Sequence, residues 1–192
     1  MKRGFSYLLI GAGFILAAVG IESIWDSRQE ENNAQQQWDR ETAAQPAISD
    51  LGRRVTKGSL LARLSIKRLK SKWVVIEGAD DAQLRRGPGH LVESAYPGAF
   101  GNCIIAGHRD TQFSVLRNVK IGEHITLERS GRRFVYRVVK RSIIAPTDMD
   151  PLKPTVEPML TLVTCYPFSY VGPAPNRFVV RAELISSTRL RV

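Results

Sequence analysis

From residue 58 onward the chain breaks into short runs in which β-branched and aliphatic residues recur, several of them alternating with polar ones. They read LLARLSIKRL, WVVIEG, NCIIAG, HITLER, RFVYRVVKRSII, MLTLVTC and RFVVRAELI. A period of two puts alternate side chains on opposite faces of a strand, and Gly, Pro, Asp or Asn often separates the runs. Seven or eight strands in about 130 residues predict a mainly β domain, either a barrel or a sandwich. The PGAFGN segment (97–102) reads as a turn, Gly131 as the centre of a hairpin, and 79–85 and 111–118 as short loop helices.

The N-terminus has a different grammar. Lys2 and Arg3 precede GFSYLLIGAGFILAAVGI, an uncharged run of 18 residues from Gly4 to Ile21. As a helix rising about 1.5 Å per residue it would cover roughly 27 Å, close to the hydrocarbon thickness of a bilayer. The basic residues before it and Glu22 and Asp26 after it predict a cytoplasmic N-terminus and an exported remainder. A cleaved signal peptide is the alternative, because Ala18 to Gly20 forms a small-x-small site. The run is longer than a typical signal core, which favours an uncleaved anchor. Residues 26–50, rich in Gln, Asn, Asp and Glu, read as a tether with some helix before Pro46. The expected organisation is a cytoplasmic stub at 1–4, a transmembrane signal anchor at 5–24, a polar tether at 25–57 and a catalytic domain at 58–192.

Charge adds little selectivity. The 192 residues carry a formal net charge of +10, and Arg53, Arg54, Lys57, Arg63, Lys67, Arg68, Lys70 and Lys72 follow one another with no acid between them. Such a patch suits a polyanion or is simply a solvated face. An outward-facing domain meets little nucleic acid, so nucleic acid is not an expected partner. Two cysteines are too few for a disulfide framework, and with three scattered histidines they make no zinc site. Asp148, Asp150 and Glu157 lie in loops without a ligand spacing, so no metal or other cofactor is assigned and calcium dependence stays open.

Candidate chemistry gathers at strand ends. Cys165 closes MLTLVTC, where a rigid strand releases into a proline-rich turn; a buried structural thiol is the bland alternative. His108 follows NCIIAG, and a thiol needs a base or an imidazolium partner to become a nucleophile at neutral pH. Arg177 opens the last strand, twelve residues after Cys165 along a path stiffened by Pro167, Pro173 and Pro175. It is either a solvated edge charge or a fixed cation aimed at the oxyanion of an attacked amide. If His108 and Cys165 meet, Cys103 lies about 16 Å away along an extended strand, too far for a disulfide, and reads as a buried structural thiol. His124 alternates with Ile125 and Leu127 and reads as a surface position. His90, in a glycine-flanked loop, could approach a cleft and is the second candidate for base or substrate contact. Asp110 has no strand-geometry reason to orient the histidine.

AGHRDTQF, TLVTCYPF and GPAPNRFVVRA, in this order, resemble the histidine, cysteine and arginine blocks of the sortases, and LLARLSIKRLKSKWVVIEG, LRRGPGH and YPGAFGN resemble the family's first half. The likeness covers about residues 58–186 and is nearest in style to class D sortases and their Gram-negative relatives. Lys67 departs from it, where many members have proline in an Ile-Pro-Arg turn. The resemblance implies an eight-stranded closed β-barrel with short loop helices behind an N-terminal transmembrane helix. It implies Cys165 as nucleophile, His108 as acid/base and Arg177 as oxyanion stabiliser. Thr164, beside the nucleophile, would position substrate or oxyanion through its backbone. Implied partners are proteins bearing an LPXTG-like sorting signal and an amine acceptor on the envelope or on another protein. The implied location is the bacterial cytoplasmic membrane, single-pass, with the catalytic domain outside. Two other readings stay open: a thiol peptidase that only hydrolyses, and a catalytically silent barrel that binds extended peptides or wall polymers.

Overall fold

The computed structural model describes residues 26, 28–41, 55–170 and 172–190. The expected transmembrane segment and the cytoplasmic stub lie outside the described residues. Among those described, no helix is long and apolar enough to cross a membrane.

Eight strands close into a barrel: β1 (Leu60–Ile66), β2 (Ser71–Glu77), β3 (Gly89–His90), β4 (Asn102–Ala106), β5 (His124–Arg129), β6 (Arg132–Ile144), β7 (Met159–Tyr166) and β8 (Asn176–Arg189). Their order around the barrel is β1-β2-β3-β4-β7-β8-β6-β5, and β1 pairs with β5 to complete the ring. Closure removes exposed strand edges. The pairs β2–β3 and β4–β7 are parallel and the others antiparallel. The sequence alternation becomes the inside and outside of this wall. Leu64, Ile66, Val75, Cys103, Ile105, Leu127, Tyr136, Leu160, Leu162, Val180 and Ala182 fill the interior.

Local chemistry sets the turns. Ser130 and Gly131, both at positive φ, join β5 to β6 in a two-residue hairpin whose flanking pair is Arg129–Arg132. Two consecutive left-handed residues match the twist of the strands they connect. The β1–β2 connection is a short 3-10 helix, Lys67–Leu69, ended by Lys70 in the left-handed region. Lys67, without proline's fixed φ, is accommodated there with β1 intact to Ile66, which is fully buried. The expected loop helices are present as α2 (Asp81–Arg86) and a 3-10 segment, Gln112–Asn118.

Part of the expected tether is structured against the barrel. Residues 28–41 form helix α1, and its Ala34 packs on Val74 and Ile76, the outward side chains of β2, with Trp38 and Leu60 alongside. Gln35 donates to the Lys72 carbonyl at 3.2 Å. Asp39 pairs with Arg63, whose guanidinium lies 5.6 Å from the Trp38 ring centre. β2 is thus covered on both faces, which is why WVVI is apolar without alternation.

Candidate active site

The parallel β4–β7 ladder aligns Cys103 with Leu160 and Ala106 with Val163, a constant offset. Continued two residues further, that offset puts His108 level with Cys165. The chain keeps the alignment past the end of β4: Gly107 N donates to the Val163 carbonyl at 3.1 Å, and Thr164 Oγ1 donates to the Gly107 carbonyl at 2.6 Å. On the other side of β7, Cys165 is the register partner of Arg177. Leu160, Leu162, Val180 and Ala182 point into the core, so by parity Cys165 and Arg177 stand on the outer face of the wall. Three strand ends therefore bring His108, Cys165 and Arg177 into one row, all three partly exposed.

Ala106 and Val163, level with each other and partly exposed, form a small apolar floor beside the row. The connection 145–158 between β6 and β7 is fastened lower on the same face. There Asn102 Nδ2 donates to the carbonyls of Pro151 and Lys153, both at 3.1 Å, and Thr161 Oγ1 donates to Asn102 Oδ1 at 2.7 Å. The connection 167–175 between β7 and β8 stands at the row itself. It is held to the histidine side by Arg109, whose Nη2 donates to the carbonyls of Tyr170 at 2.6 Å and Gly172 at 3.1 Å. Its base is packed by Tyr166, Phe168 and Phe178, with ring centres 5.3 to 6.3 Å apart. Arg177 Nη1 donates to the carbonyls of Ala174 at 3.2 Å and Asn176 at 3.0 Å, which docks the guanidinium against this connection. The antiparallel ladder, more than the proline turn, puts the arginine opposite the thiol.

The other predicted site residues fall elsewhere. Thr164 is buried, and its hydroxyl is committed to the Gly107 carbonyl. His90 is in β3, not in a loop, and is fully buried. Its Nδ1 faces Glu77 Oε2 at 3.0 Å, and its Nε2 faces the Ala95 carbonyl at 3.1 Å and Ser94 Oγ at 3.0 Å, while Tyr96 stacks on the ring. With both nitrogens engaged inside the protein, His90 presents no surface to a peptide and is not carried forward as a substrate contact. Cys103 is buried and free, and burial pushes its pKa up, away from nucleophilic reactivity. His124 and Asp110 are exposed. Asp150 pairs with Lys153 at 2.5 Å, and Asp148 Oδ1 accepts from the Asp150 amide at 3.1 Å. Among the described residues no group of three His, Cys, Asp or Glu side chains converges on a metal-sized site.

Two residues of the site had gone unnoticed in the sequence. Gln112, buried at 2% exposure, accepts the His108 backbone N–H at 3.2 Å, and Arg109 clasps the facing connection. Neither has a periodic signature; their adjacency to His108 was the available clue.

Comparison with known proteins gives a consistent result. The family model described as the sortase domain matches residues 64–185. Sortase D of Bacillus subtilis is 27% identical over 198 aligned positions, covering 97% of this chain and all of that protein. The catalytic domain of B. anthracis SrtD superposes with a TM-score of 0.62 at 35% identity, covering 75% of this chain and 98% of that one. A Clostridium perfringens sortase D transpeptidase gives a TM-score of 0.65 over 84% of this chain and 99% of the other; at 23% identity it speaks to the fold alone.

Proposed function

Because this chain belongs to the sortase family and is class D-like, a cysteine transpeptidase, we propose that Cys165, His108 and Arg177 are its catalytic residues and that it acts on an LPXTG-like sorting signal. The observation that carries this reading is the row itself: a thiol, an imidazole and a guanidinium level with one another on one exposed face. The apolar floor at Ala106 and Val163, walled by two anchored connections, suits an extended peptide.

In this mechanism the Cys165 thiolate attacks the carbonyl carbon of the threonine in the motif. The electron pair of the C=O bond moves to oxygen, and the Arg177 guanidinium faces that oxyanion with N–H donors. Collapse breaks the C–N bond, and the leaving amine takes a proton from the His108 imidazolium. The resulting thioacyl enzyme is attacked by an acceptor amine. Neutral His108 takes that amine's proton, the C–S bond breaks, and the thiolate–imidazolium pair is restored. Water in place of the amine gives hydrolysis through the same intermediate.

The membrane-anchored form of this function, with residues 5–24 spanning the bacterial cytoplasmic membrane and residues 58–192 outside, rests on the uncharged run after Lys2 and Arg3. Protease added to intact spheroplasts should digest the catalytic domain if that topology is right, and leave it untouched if it is not.

The direct test is intact-mass spectrometry of the purified full chain with an LPXTG-type peptide and a soluble primary amine. A thioacyl adduct lost in Cys165→Ala, with amide product when the amine is present, supports transpeptidation. Hydrolysed peptide alone under every amine tried would reduce the function to peptidase. A folded, alkylatable thiol that forms no adduct with any sorting peptide would favour the silent binding module.

A further inference from the structure

Four guanidinium groups touch the connection 167–175 or its aromatic base, and the connection itself, PFSYVGPAP, carries no acid. Arg109 and Arg177 spend N–H donors on its carbonyls. Arg117 lies over the Phe168 ring, 5.0 Å from its centre, and Arg141 over the Phe178 ring at 5.3 Å. Elsewhere on the barrel Arg63, Arg68, Arg133 and Arg137 are matched by Asp39, Glu123, Glu128 and Glu183. Among the described residues no carboxylate comes within ion-pair distance of the four arginines at the connection. Asp110, exposed on the histidine side, pairs with none of them. Glu123, just beyond the 3-10 segment, has both oxygens committed to Arg68, at 2.8 and 2.9 Å, and accepts the Lys120 amide at 3.0 Å.

Arg117 and Arg141 differ from the other two in what they leave free. Arg117 Nε donates to the Ser114 carbonyl at 2.9 Å, and Arg141 Nη2 donates to the Arg117 carbonyl at 3.2 Å, so a residue of the 3-10 segment and one of β6 meet at one point. Phe168 and Phe178, on which they rest, stand edge to face with centres 5.3 Å apart. Both arginines are exposed. Both Nη groups of Arg117, and Nε and Nη1 of Arg141, have no acceptor among the described residues. Two like charges held together without a counterion repel. An oxyanion bridging them relieves the repulsion and fills the free donors of both planar forks.

The chain places this pair on the reaction path. The floor at Ala106 and Val163, where the sorting peptide is proposed to lie, comes before the row along β4 and β7. Phe168 lies past it, three residues after Cys165 and so at most about 10 Å from it along the chain. With the acyl chain on the floor, an amine reaches the thioester from the other side, and its far end falls toward Arg117 and Arg141. We propose that these two arginines form an oxyanion subsite for the acceptor, and that the second substrate is an amine bearing a carboxylate or phosphate several bonds from its nitrogen. The proposal rests on the reading of Cys165 as the nucleophile. The anion makes and breaks no bond. It orients the amine, whose nitrogen displaces the Cys165 thiolate from the acyl carbon and gives its proton to His108.

The test uses the purified full chain with an LPXTG-type peptide and acceptors of one length: hexylamine, 6-aminohexanoate and 6-aminohexyl phosphate. Transfer product is followed by mass spectrometry for the wild type, R117Q/R141Q and R117K/R141K. In the wild type, kcat/KM for the anionic acceptors should exceed that for hexylamine by about tenfold, an advantage that shrinks as salt is raised. In R117Q/R141Q the ratio should fall to within about twofold of unity, and the lysine pair, which keeps both charges, should retain part of it. Whichever anion gives the larger ratio assigns the acceptor to the carboxylate or the phosphate class. A wild type that treats all the acceptors alike overturns the proposal, as does a folded R117Q/R141Q that keeps the preference. Should the double variant not fold, R141Q alone decides: a drop in the ratio of about threefold or more supports the subsite, and an unchanged ratio refutes it. Thioacyl formation on Cys165, in which no acceptor takes part, reads the underlying assignment separately. If no adduct forms, the nucleophile fails first and this proposal falls with it. An adduct without any anion preference sinks the acceptor subsite alone.

Discussion

Cys165 and Arg177 are direct partners across the β7–β8 ladder, so the separation of thiol and guanidinium is set by the width of a strand pair and not by a loop. Arg177 also pairs with Ile144 on its other side, and two bonds from Nη1 hold its head against Ala174 and Asn176. In the proposed mechanism a cation fixed in this way would need little reorganisation to meet an oxyanion.

Arg177→Ala is accordingly expected to lower kcat by about 10²- to 10³-fold with a small change in KM, the range for removing one oxyanion donor. Arg177→Lys should lie in between, keeping the charge but losing the planar fork. Steady-state kinetics beside a thermal melt checks this. An R177A enzyme within threefold of wild type would remove the arginine from the mechanism.

Thr164→Val tests what the threonine before Cys165 does. The substitution keeps the shape and deletes the hydroxyl that donates to the Gly107 carbonyl at 2.6 Å, leaving that buried acceptor short of a partner. A loss of about 1–2 kcal/mol in urea unfolding is expected, with a fall in kcat larger than any change in KM because the histidine loop is loosened. If KM alone rises, Thr164 touches substrate and its inward bond is incidental.

How far the sequence could be read follows from which forces act locally. Period-two alternation is imposed by each strand's own two faces, so β1, β5, β7 and β8 were legible, and the members of the proposed thiol–imidazole–guanidinium set could be named because each stands where a run ends or begins. Choosing barrel over sandwich depended on β1 meeting β5, a contact between distant segments with no local trace. His90 was misread because a two-residue strand has no period, and its partner Glu77 lies thirteen positions upstream. A helix before Pro46 was expected, and residues 28–41 form one, but its seat on the barrel was hidden by its polar composition. Its only apolar signal is Ala34 and Trp38, four apart and so on one face, enough to seat a helix on β2 but easily lost among glutamines. Gln112 shows no pattern at all: its side chain joins the His108 amide, the Thr111 hydroxyl and the Leu84 carbonyl of α2, which no local period announces.

The docking of α1 should depend on pH through Glu31. Burial raises the Glu31 pKa above the ordinary carboxyl value, with the nearby Gln112 amide and the Arg28 charge pulling the other way. The docked state thus holds the proton more tightly than the undocked one. Docking is strongest below the undocked pKa and weakens as pH rises through the interval up to the raised docked pKa. Hydrogen exchange of residues 28–41 should accelerate across that interval in the wild type and stay flat in E31Q. An acceleration that persists in E31Q would assign the effect to another group.

Two glycines separate backbone strain from collision. Gly98 has φ +81° and Gly122 φ +84°, so alanine at either position occupies a region that L residues rarely adopt. Around Gly122 a Cβ would meet nothing within 4 Å, and Gly122→Ala should cost about 1 kcal/mol from strain alone. At Gly98 the same atom would lie 2.0 Å from Cε1 and 2.4 Å from Cδ1 of Phe134, a core ring at 2% exposure. The neighbouring Gly98 amide donates to the Tyr136 hydroxyl at 2.8 Å, so the loop cannot back away without breaking a bond to a fully buried phenol. Gly98→Ala should therefore cost about 3 kcal/mol or more, strain and overpacking together. Urea midpoints of the two variants decide the matter. If both lose the same stability, backbone strain is the whole cost and the Phe134 ring yields freely. The expected gap of about 2 kcal/mol would instead locate a rigid corner of the barrel where the 97–101 turn is seated on the β6 ring pair.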